Sequence, residues 1–396
     1  MRINPGGKLS INDIVGRDAL VKFILERLAA QSLLLVAERR IGKTHVLEKL
    51  VAEPQNGWIM LKRDIEGIRT AVEFVQYVVS DISPHLSKIT QFRDWLNTMA
   101  GEASGLQVGS IKLPNFPAAS WKKILLDAIM HIQQSPDIKH IAFLWDEFPW
   151  MLQNIAANNP KDATELLDIL RSIRQQNDKI RMIFTGSIGL HHVIRLLKTQ
   201  GYNNAPVNDM FVVEVTPLAV VDGTDLAKKL LDNVGIVQND DTLAACIAGE
   251  VDYIPYYIHH VLSDISKRVP DDIVVTNTEI KAMVDASIKS AQDSWGLTHF
   301  EERTRDYYGT KRNACLTILD AVASNDAGLD SQVAINAAKA NVSEIAQQEW
   351  LELIRLLEKD HYLIRDKNSG KLCFKFTVVR RWWQWHRGIS QTGASN

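Results

Sequence analysis

The chain has 396 residues, with 45 Lys or Arg, 47 Asp or Glu, a formal net charge of −2 and a 46% hydrophobic content. This length and composition suit two or three domains with buried cores, and they exclude disordered, collagen-like and coiled-coil chains. The nearly balanced charge argues against a protein that coats nucleic acid or an anionic membrane through bulk electrostatics. Any nucleic-acid contact is therefore expected to be regional.

Cysteine usage and hydropathy indicate the compartment. Cys246, Cys315 and Cys373 are widely spaced and form no Cys-x-x-Cys pair, which excludes a disulfide framework and a tight zinc site. The N-terminal segment lacks an apolar signal core, and the most apolar runs are as short as strands. We expect a cytoplasmic protein without a membrane contact.

The first 220 residues alternate short apolar runs with longer amphipathic segments, which predicts an α/β core with a mostly parallel sheet. The predicted strands are 32–37, 57–61, 140–145, 181–185 and 211–215. The predicted helices are 19–28, 43–51, 71–82, 121–133, 163–174 and 190–197. A Gly-, Ser- and Pro-rich stretch at 101–117 indicates an inserted loop or hairpin.

Beyond the core the strand pattern stops. Helical periodicity over 221–305 predicts an all-helical domain. Helices at 313–324, 331–338 and 343–359 then precede two short apolar segments around a Lys-Asn-Ser-Gly turn, an order that predicts a winged helix over 306–390. The last residues, 391–396, form a polar tail. The fold prediction is thus an α/β core (1–220) with a helical domain and a C-terminal winged helix.

The strongest motif is a buried strand that runs through a short loop into Gly42-Lys43-Thr44 at a helix start. This context predicts a phosphate-binding P-loop, with Ala37 in the place of the usual first glycine. Backbone N–H groups face the β-phosphate, Lys43 reaches the β/γ oxygens, and the Thr44 hydroxyl ligates Mg²⁺. The predicted ATP-binding set is Ile14, Val15, Arg40, Ile41, Gly42, Lys43, Thr44 and His45.

Two carboxylates, Asp146 and Glu147, end the apolar strand at 140–145. Buried carboxylates are costly unless a cation or water occupies them. Beside a P-loop, Asp146 is predicted to hold Mg²⁺ through water and Glu147 to polarise the attacking water. The alternative is that they cap a helix beginning near Pro149.

Two further segments carry weaker signals. The strand at 181–185 ends in Thr185, Gly186 and Ser187, and Ser187 is predicted to contact the γ-phosphate or its water; the alternative is a helix cap. Ile14 and Val15 precede the first helix, where they suit an adenine slot or, alternatively, a packing staple.

The order DIVGRD, AERRIGKT, FLWDE, FTGSIGL, VEVTPL, helical segment and winged helix resembles the archaeal-type prokaryotic P-loop ATPases of the AAA+/STAND assemblage, which share it with origin-recognition ATPases. The resemblance implies an AAA+-like P-loop NTPase core with a helical lid, ATP and Mg²⁺ binding, slow hydrolysis and an ATP-driven switch. The residues predicted to be catalytic are Lys43, Glu147 and Ser187. We expect a protein partner or self-oligomer, and DNA binding through the winged helix stays open.

The sequence departs from this family at the lid. Tyr253 occupies the glycine place before Ile254-Pro255, and no arginine stands there as a γ-phosphate sensor. Candidates for an arginine finger are Arg171, Arg174 and Arg195, although each also suits an exposed helix face.

The C-terminal segment leaves two functions open. Five cations without an acidic residue are interleaved with Trp382, Trp383 and Trp385: Lys371, Lys375, Arg380, Arg381 and Arg387. They suit DNA binding, while the tryptophans suit anchoring of the last helix. The Glu-rich helix at 343–359 favours a protein contact. The rivals to a switch ATPase are thus a DNA-binding regulator and a non-hydrolysing scaffold.

Overall fold

The computed structural model describes residues 1–55, 57–99, 107–108, 111–112, 120–187, 189–232, 234, 241–268, 275–340 and 345–389. The chain consists of two compact units. The core unit is Arg17–Ala37 and Lys43–Val215, and the C-terminal unit is Met1–Gly16, Glu38–Gly42 and Thr216–Asn396. The loop between the first strand and the helix that follows it thus groups with the C-terminal unit. The predicted domain boundaries differ in kind from this division and stay a prediction.

The core unit contains the predicted parallel sheet. Its strands are β1 (Leu33–Val36), β2 (Trp58–Asp64), β3 (Gln107–Val108), β4 (Ile111–Lys112), β5 (His140–Asp146), β6 (Ile180–Thr185) and β7 (Phe211–Glu214). Five of them form one sheet in the order β2-β5-β6-β1-β7, and every pairing in it is parallel. The strands β3 and β4 pair antiparallel, as expected for a hairpin, and the rest of 101–117 lies outside the described residues.

The helices of the core unit follow the predicted segments and extend them by a few residues. They are α1 (Asp18–Ala30), α2 (Lys43–Ala52), α3 (Ala71–Leu86), α4 (Thr90–Met99), α5 (Trp121–Gln134), α6 (Phe148–Asn158), α7 (Pro160–Gln176) and α8 (Leu190–Thr199). Helix α4 lies in a segment for which the sequence analysis predicted no helix or strand. The start of α6 lies near Pro149, and Glu147 precedes it without a side-chain capping bond.

An aromatic cluster fixes the strand ends of the core unit. The rings of Phe148 and Phe184 stack with centroids 3.9 Å apart, and the ring of Trp145 lies 5.8 Å from that of Phe184. All three side chains are buried. Large buried aromatic rings dominate local packing energetics. Because Trp145 and Phe148 flank Asp146 and Glu147, this cluster determines where the two carboxylates emerge.

The C-terminal unit is helical apart from one hairpin. Its elements are α9 (Val220–Leu231), α10 (Asp241–Glu250), α11 (Pro255–Arg268), α12 (Asn277–Ile288), α13 (His299–Tyr308), α14 (Arg312–Ala323), α15 (Ser331–Lys339), α16 (Gln347–Lys359), β8 (Leu363–Arg365), β9 (Leu372–Phe374) and α17 (Thr377–His386). The strands β8 and β9 pair antiparallel around the predicted turn. The order of helices and hairpin is the predicted one, and the winged helix itself stays a prediction.

Two details of the C-terminal unit differ from the predicted elements. The helix expected from residue 343 begins at Gln347 in the described part of the chain, and Ala346 N donates to the Glu349 carboxylate there. The polar tail lies outside the described residues. Trp382 and Trp383 are buried, as expected for anchors of α17, whereas Trp385 is 41% exposed. Within the described ranges, no helix has both the length and the apolar character of a membrane span.

Candidate functional site

The parallel sheet brings three predicted site segments to one edge. In the register of the sheet, Leu35 on β1 lies opposite Thr185 on β6, and Phe184 on β6 lies opposite Trp145 on β5. The carboxyl ends of β1, β6 and β5 are therefore neighbours. Ligand sites of open α/β sheets lie at this edge. The strand β6 lies between β1 and β5.

Lys43 and Thr44 begin α2, directly after the loop at 38–42. The Lys43 side chain is buried and its Nζ donates to Ala37 O at 3.1 Å, across the loop. Thr44 Oγ1 donates to Asp146 Oδ2 at 2.7 Å, although 102 positions separate the two residues. The structure thus joins the P-loop motif and the strand-end carboxylate that the sequence predicted as one site.

Asp146 is a buried carboxylate, 4% exposed. Its oxygens accept from Thr44 Oγ1 and from the Glu147 backbone N–H at 3.2 Å, and within the described ranges it forms no ion pair. Burial of a carboxylate without a fixed cation is costly. Hydroxyl and carboxylate oxygens are ligands that Mg²⁺ prefers. Thr44 and Asp146 therefore fit a magnesium ion.

Glu147 has a strained backbone and a fixed side chain. Its φ is 58°, in the left-handed region that non-glycine residues rarely adopt. Its Oε2 accepts hydrogen bonds of 2.8 Å from both the N–H and the hydroxyl of Ser187. Burial raises the pKa of the Glu147 carboxyl, the Ser187 hydrogen bonds lower it, and the neighbouring Asp146 raises it, with a net rise. The carboxyl therefore takes up a proton at a higher pH than an ordinary glutamate.

Ser187 is occupied by protein groups. Besides binding Glu147, its hydroxyl accepts from Trp150 Nε1 at 3.1 Å. The hydroxyl of Thr185, two residues earlier, is buried and has no hydrogen-bond partner in the described part of the chain. Ser187 is thus placed to position Glu147. Thr185 lies at the same strand end with a hydroxyl group, but the sequence did not predict a role for it at the phosphate.

The loop residues Glu38–Gly42 pack within the C-terminal unit. The Glu38 carboxylate, 3% exposed, accepts from Arg303 Nη1 at 2.6 Å, and His299 Nε2 lies 3.7 Å from the same oxygen. Burial raises the pKa of Glu38, but Arg303 and His299 outweigh it and hold the pKa well below its usual value. Glu38 is therefore ionised at neutral pH. Neither Glu38 nor Arg303 was predicted from the sequence.

Arg40 and Gly42 complete this loop with positive φ angles of 70° and 102°. The Arg40 guanidinium donates to Trp295 O and lies 4.3 Å from the centroid of the Tyr256 ring. Arg40 was predicted to bind ATP, yet its side chain is held by protein groups, so a nucleotide contact through its side chain stays a prediction. Ile41 is buried.

The remaining predicted binding residues lie in both units. In the C-terminal unit, Ile14 is buried and Val15 half-buried. The following Gly16 has a φ of 68°, and a Cβ there would lie 2.6 Å from Asp222 Cβ. In the core unit, His45 is half-buried, and burial lowers its pKa. A role in adenine or phosphate binding stays a prediction for these residues.

The arginine candidates differ in burial. Arg174 is not on an exposed helix face, because its guanidinium is buried and bonds to Asp209 at 2.8 Å and to Pro206 O at 2.5 Å. This structural role disfavours Arg174 as a finger. Arg171 is half-buried and Arg195 is exposed, as a helix-face charge would be.

The segment before Ile254-Pro255, where Tyr253 occupies the glycine place, has a left-handed backbone. Asp252 and Tyr253 have φ angles of 52° and 56°. The Asp252 carboxylate accepts from the Val378 N–H at 2.8 Å, at the start of α17. Arg381 on the same helix donates to Glu250 at 2.8 Å. The segment before Ile254-Pro255 is thus bonded to the C-terminal helix of the same unit.

Comparison with solved structures identifies the fold. The Walker-type ATPase PABY2304 of Pyrococcus abyssi superposes with a TM-score of 0.65 at 16% identity, covering 97% of this chain and all of that one. The chain has an α/β P-loop NTPase fold. The Aeropyrum pernix ORC2 protein, solved with ADPNP and ADP, gives a TM-score of 0.47 at 13% identity over 94% of this chain and 92% of its own.

No protein-family model matches the sequence, and no curated protein does. At 16% identity the Pyrococcus likeness defines the fold of the chain and not its activity. The P-loop, the Thr44–Asp146 contact and the Glu147–Ser187 contact of this chain must therefore carry the functional argument.

Proposed function

We propose that this protein binds ATP with Mg²⁺, hydrolyses it slowly and uses the nucleotide state as a molecular switch. One observation carries the proposal: the hydroxyl of Thr44, in the first turn of α2, donates at 2.7 Å to Asp146. The Asp146 carboxylate is buried and has no ion-pair partner in the described residues. P-loop enzymes hold Mg²⁺ with this pair of groups.

Each group of the core unit has a role in this chemistry. Lys43 adds positive charge at the N-terminus of α2, where backbone N–H groups also attract phosphate. Thr44 and Asp146 would hold Mg²⁺, which when bound neutralises charge on the β- and γ-phosphates. Glu147 orients the attacking water and accepts its proton, and Ser187 fixes the Glu147 carboxylate.

A second candidate is an ATP-binding protein without turnover. Two hydrogen bonds from Ser187 occupy Glu147, and the pKa of Glu147 is raised by burial. A carboxylate oxygen that already accepts two hydrogen bonds is less available to the attacking water, and a carboxyl with a raised pKa is ionised over a narrower pH range. Nucleotide would then stabilise the fold without being consumed.

DNA is the less favoured partner of the C-terminal segment. Arg380 pairs with Asp326, and Arg381 pairs with both Glu250 and Asp285. Cations that are neutralised within the protein release few counterions on DNA binding. We therefore propose a protein partner or a second copy of the chain, in the cytoplasm.

The test measures ATP affinity by calorimetry, turnover, and mass in solution, with and without DNA. Lys43→Ala should abolish binding, while Glu147→Gln should bind ATP and fail to cleave it. Lys22→Ala, which changes an exposed lysine on α1, is the matched control and should behave as wild type. Full turnover in both site variants would refute the ATPase. Tight binding without turnover in the wild type would establish the second candidate.

A further inference from the structure

The loop at 38–42 is conformationally demanding. Arg40 adopts a left-handed φ of 70° and Gly42 a φ of 102°. Such a conformation is unfavourable for a non-glycine residue, so it persists where surrounding contacts impose it. The contacts that impose it here come from residues about 260 positions later in the chain, since Arg40 bonds to Trp295 and Glu38 to Arg303.

Glu38 links the loop backbone to helix α13. Its Oε1 accepts from the Arg39 N–H at 2.7 Å and from Arg303 Nη1 at 2.6 Å. One carboxylate oxygen thus fixes a backbone amide of the loop and a guanidinium of the C-terminal unit together. Since loop N–H groups are the phosphate ligands of a P-loop, the direction of this amide matters for binding.

Arg303 is held from a second side. Its Nη2 donates to Asp360 O at 2.7 Å, directly after α16, and its guanidinium lies 5.0 Å from the centroid of the Tyr362 ring before β8. Tyr362 OH in turn donates to Phe300 O at 2.5 Å on α13. A movement of α16 or of the hairpin therefore displaces Arg303.

The pair is buried on both sides, with side-chain exposures of 13% for Arg303 and 2% for Glu38. Removal of one member leaves an uncompensated buried charge, which is strongly destabilising. When Arg303 moves, the loop at 38–42 must therefore move with it or lose its conformation. Alternatives in which the loop moves away while Glu38 stays charged and buried are costly.

We propose that Glu38 and Arg303 are positioning residues that make the phosphate affinity of the P-loop depend on the C-terminal helices and hairpin. The inference rests on the proposed ATP binding and adds its regulation. A partner that shifts α16 or the β8–β9 hairpin would change ATP affinity through Arg303. By linkage, ATP binding would change the affinity for that partner by the same factor.

The test is a double-mutant cycle on the affinity for a fluorescent ATP analogue in the full chain. Glu38→Gln and Arg303→Gln should each weaken binding about tenfold, and the double variant should be no weaker than either single variant, because both remove one contact. Glu301 lies on α13 like Arg303 and forms ion pairs with Arg305 on α13 and with Arg312 on α14, so Glu301→Gln is the matched control, with unchanged affinity.

Arg303→Lys serves as a second variant in case Arg303→Gln fails to fold, because lysine keeps a cation beside Glu38. An ammonium lacks the planar fork that reaches Glu38 and Asp360 O together, so ATP affinity should fall about threefold, between wild type and Arg303→Gln. A purely structural role would lower the melting temperature and leave the affinity of the folded protein unchanged.

Hydrogen exchange gives the reciprocal measurement. ATP should slow exchange in α13 of the wild type, and this protection should disappear in Glu38→Gln. Equal ATP affinity in wild type, Arg303→Gln and Arg303→Lys would overturn the inference alone. No ATP binding by the wild type would overturn the proposed function and the inference with it.

Discussion

Two buried carboxylates, one in each unit, show how differently the same group is used. Glu38 is 3% exposed and Asp146 is 4% exposed. Glu38 is paired with Arg303 at 2.6 Å and approached by His299. Asp146 accepts from a neutral hydroxyl and a backbone N–H, with no ion pair in the described residues. The protein compensates the charge of Glu38 with its own cations, whereas the charge of Asp146 is left for the Mg²⁺ that we propose it binds.

The contrast distinguishes a structural carboxylate from a ligand-binding one. A buried charge that is paired within the protein contributes to a fixed conformation. A buried charge with free lone pairs gains from a divalent cation, and it is placed beside the P-loop threonine. Substitution of Asp146 should therefore affect turnover in the core unit. Substitution of Glu38 should affect the conformation of the loop at 38–42.

The largest expected effect is on Asp146. Asp146→Asn keeps the side-chain size and an acceptor for Thr44 but removes the charge, so turnover should fall about 10²–10³-fold while the fold persists. Asp64→Asn is the control, because Asp64 is exposed and lies opposite Asp146 in the β2–β5 register. Near-normal turnover of Asp146→Asn at saturating Mg²⁺ would show that Asp146 is a structural carboxylate like Glu38.

The next effect concerns Gly186. A Cβ at this position would lie 2.5 Å from Pro149 Cδ and 3.4 Å from the Glu147 carboxylate. Gly186→Ala should lower the free energy of unfolding by about 2 kcal/mol, because it forces the start of α6 away from β6. Gly67→Ala, with open space around the added methyl, is the control. Urea unfolding measures the stability of both variants. Equal stabilities would mean that the start of α6 shifts to accommodate the added methyl group without a loss of stability.

The sequence predicted the parts of the site that local pattern determines. Lys43, Thr44, Asp146 and Glu147 each lie at the boundary of a strongly patterned strand or helix. In a parallel sheet such boundaries share one edge. The Thr44–Asp146 contact therefore followed from motif and topology alone.

The supporting contacts were not predictable in the same way. Glu38 and Arg303 are 265 positions apart, and neither lies in a pattern that distinguishes a buried charge from an exposed one. Helix α13 was not predicted as a separate element, although most of it lies in the region predicted as all-helical, since its segment, HFEERTRDYY, is mostly polar. The bond between the Ser187 hydroxyl and Glu147 was not predicted, because strand order places Ser187 near the phosphate edge but cannot show which protein group its hydroxyl binds. The predicted contact of Ser187 with the γ-phosphate or its water stays a prediction. The positive φ of Arg40 could not be predicted from the sequence either, because arginine rarely adopts the left-handed backbone conformation.

A smaller effect is expected from Ser187→Ala, which removes one of the two hydrogen bonds to Glu147. This bond lowers the pKa of Glu147 against the rise caused by burial, so its loss raises that pKa further. In the proposed function Glu147 acts as a base when ionised, so activity should be lost as the pH falls through its pKa. The acidic limb of the turnover profile should therefore move to higher pH, with kcat about tenfold lower on that limb.

Trp150→Phe is the control for Ser187→Ala, since it removes the indole that donates to the Ser187 hydroxyl but leaves both bonds to Glu147. Its acidic limb should match that of the wild type. An unmoved limb in Ser187→Ala would mean that the titrating group is not Glu147.

The smallest effect separates backbone conformation from side-chain packing at Tyr253. Its N–H donates to Ala248 O at 2.8 Å and its carbonyl accepts from Leu218 N at 3.1 Å, so the backbone keeps its φ of 56° when the side chain changes. Tyr253→Asn and Tyr253→Val both remove the ring that packs on Gly223. Asn tolerates the left-handed region, whereas a β-branched side chain does not. The valine variant should therefore be less stable than the asparagine variant by about 1 kcal/mol in chemical unfolding. Equal stabilities would mean that this segment relaxes its backbone, and that the contact between Asp252 and the start of α17 does not hold it in place.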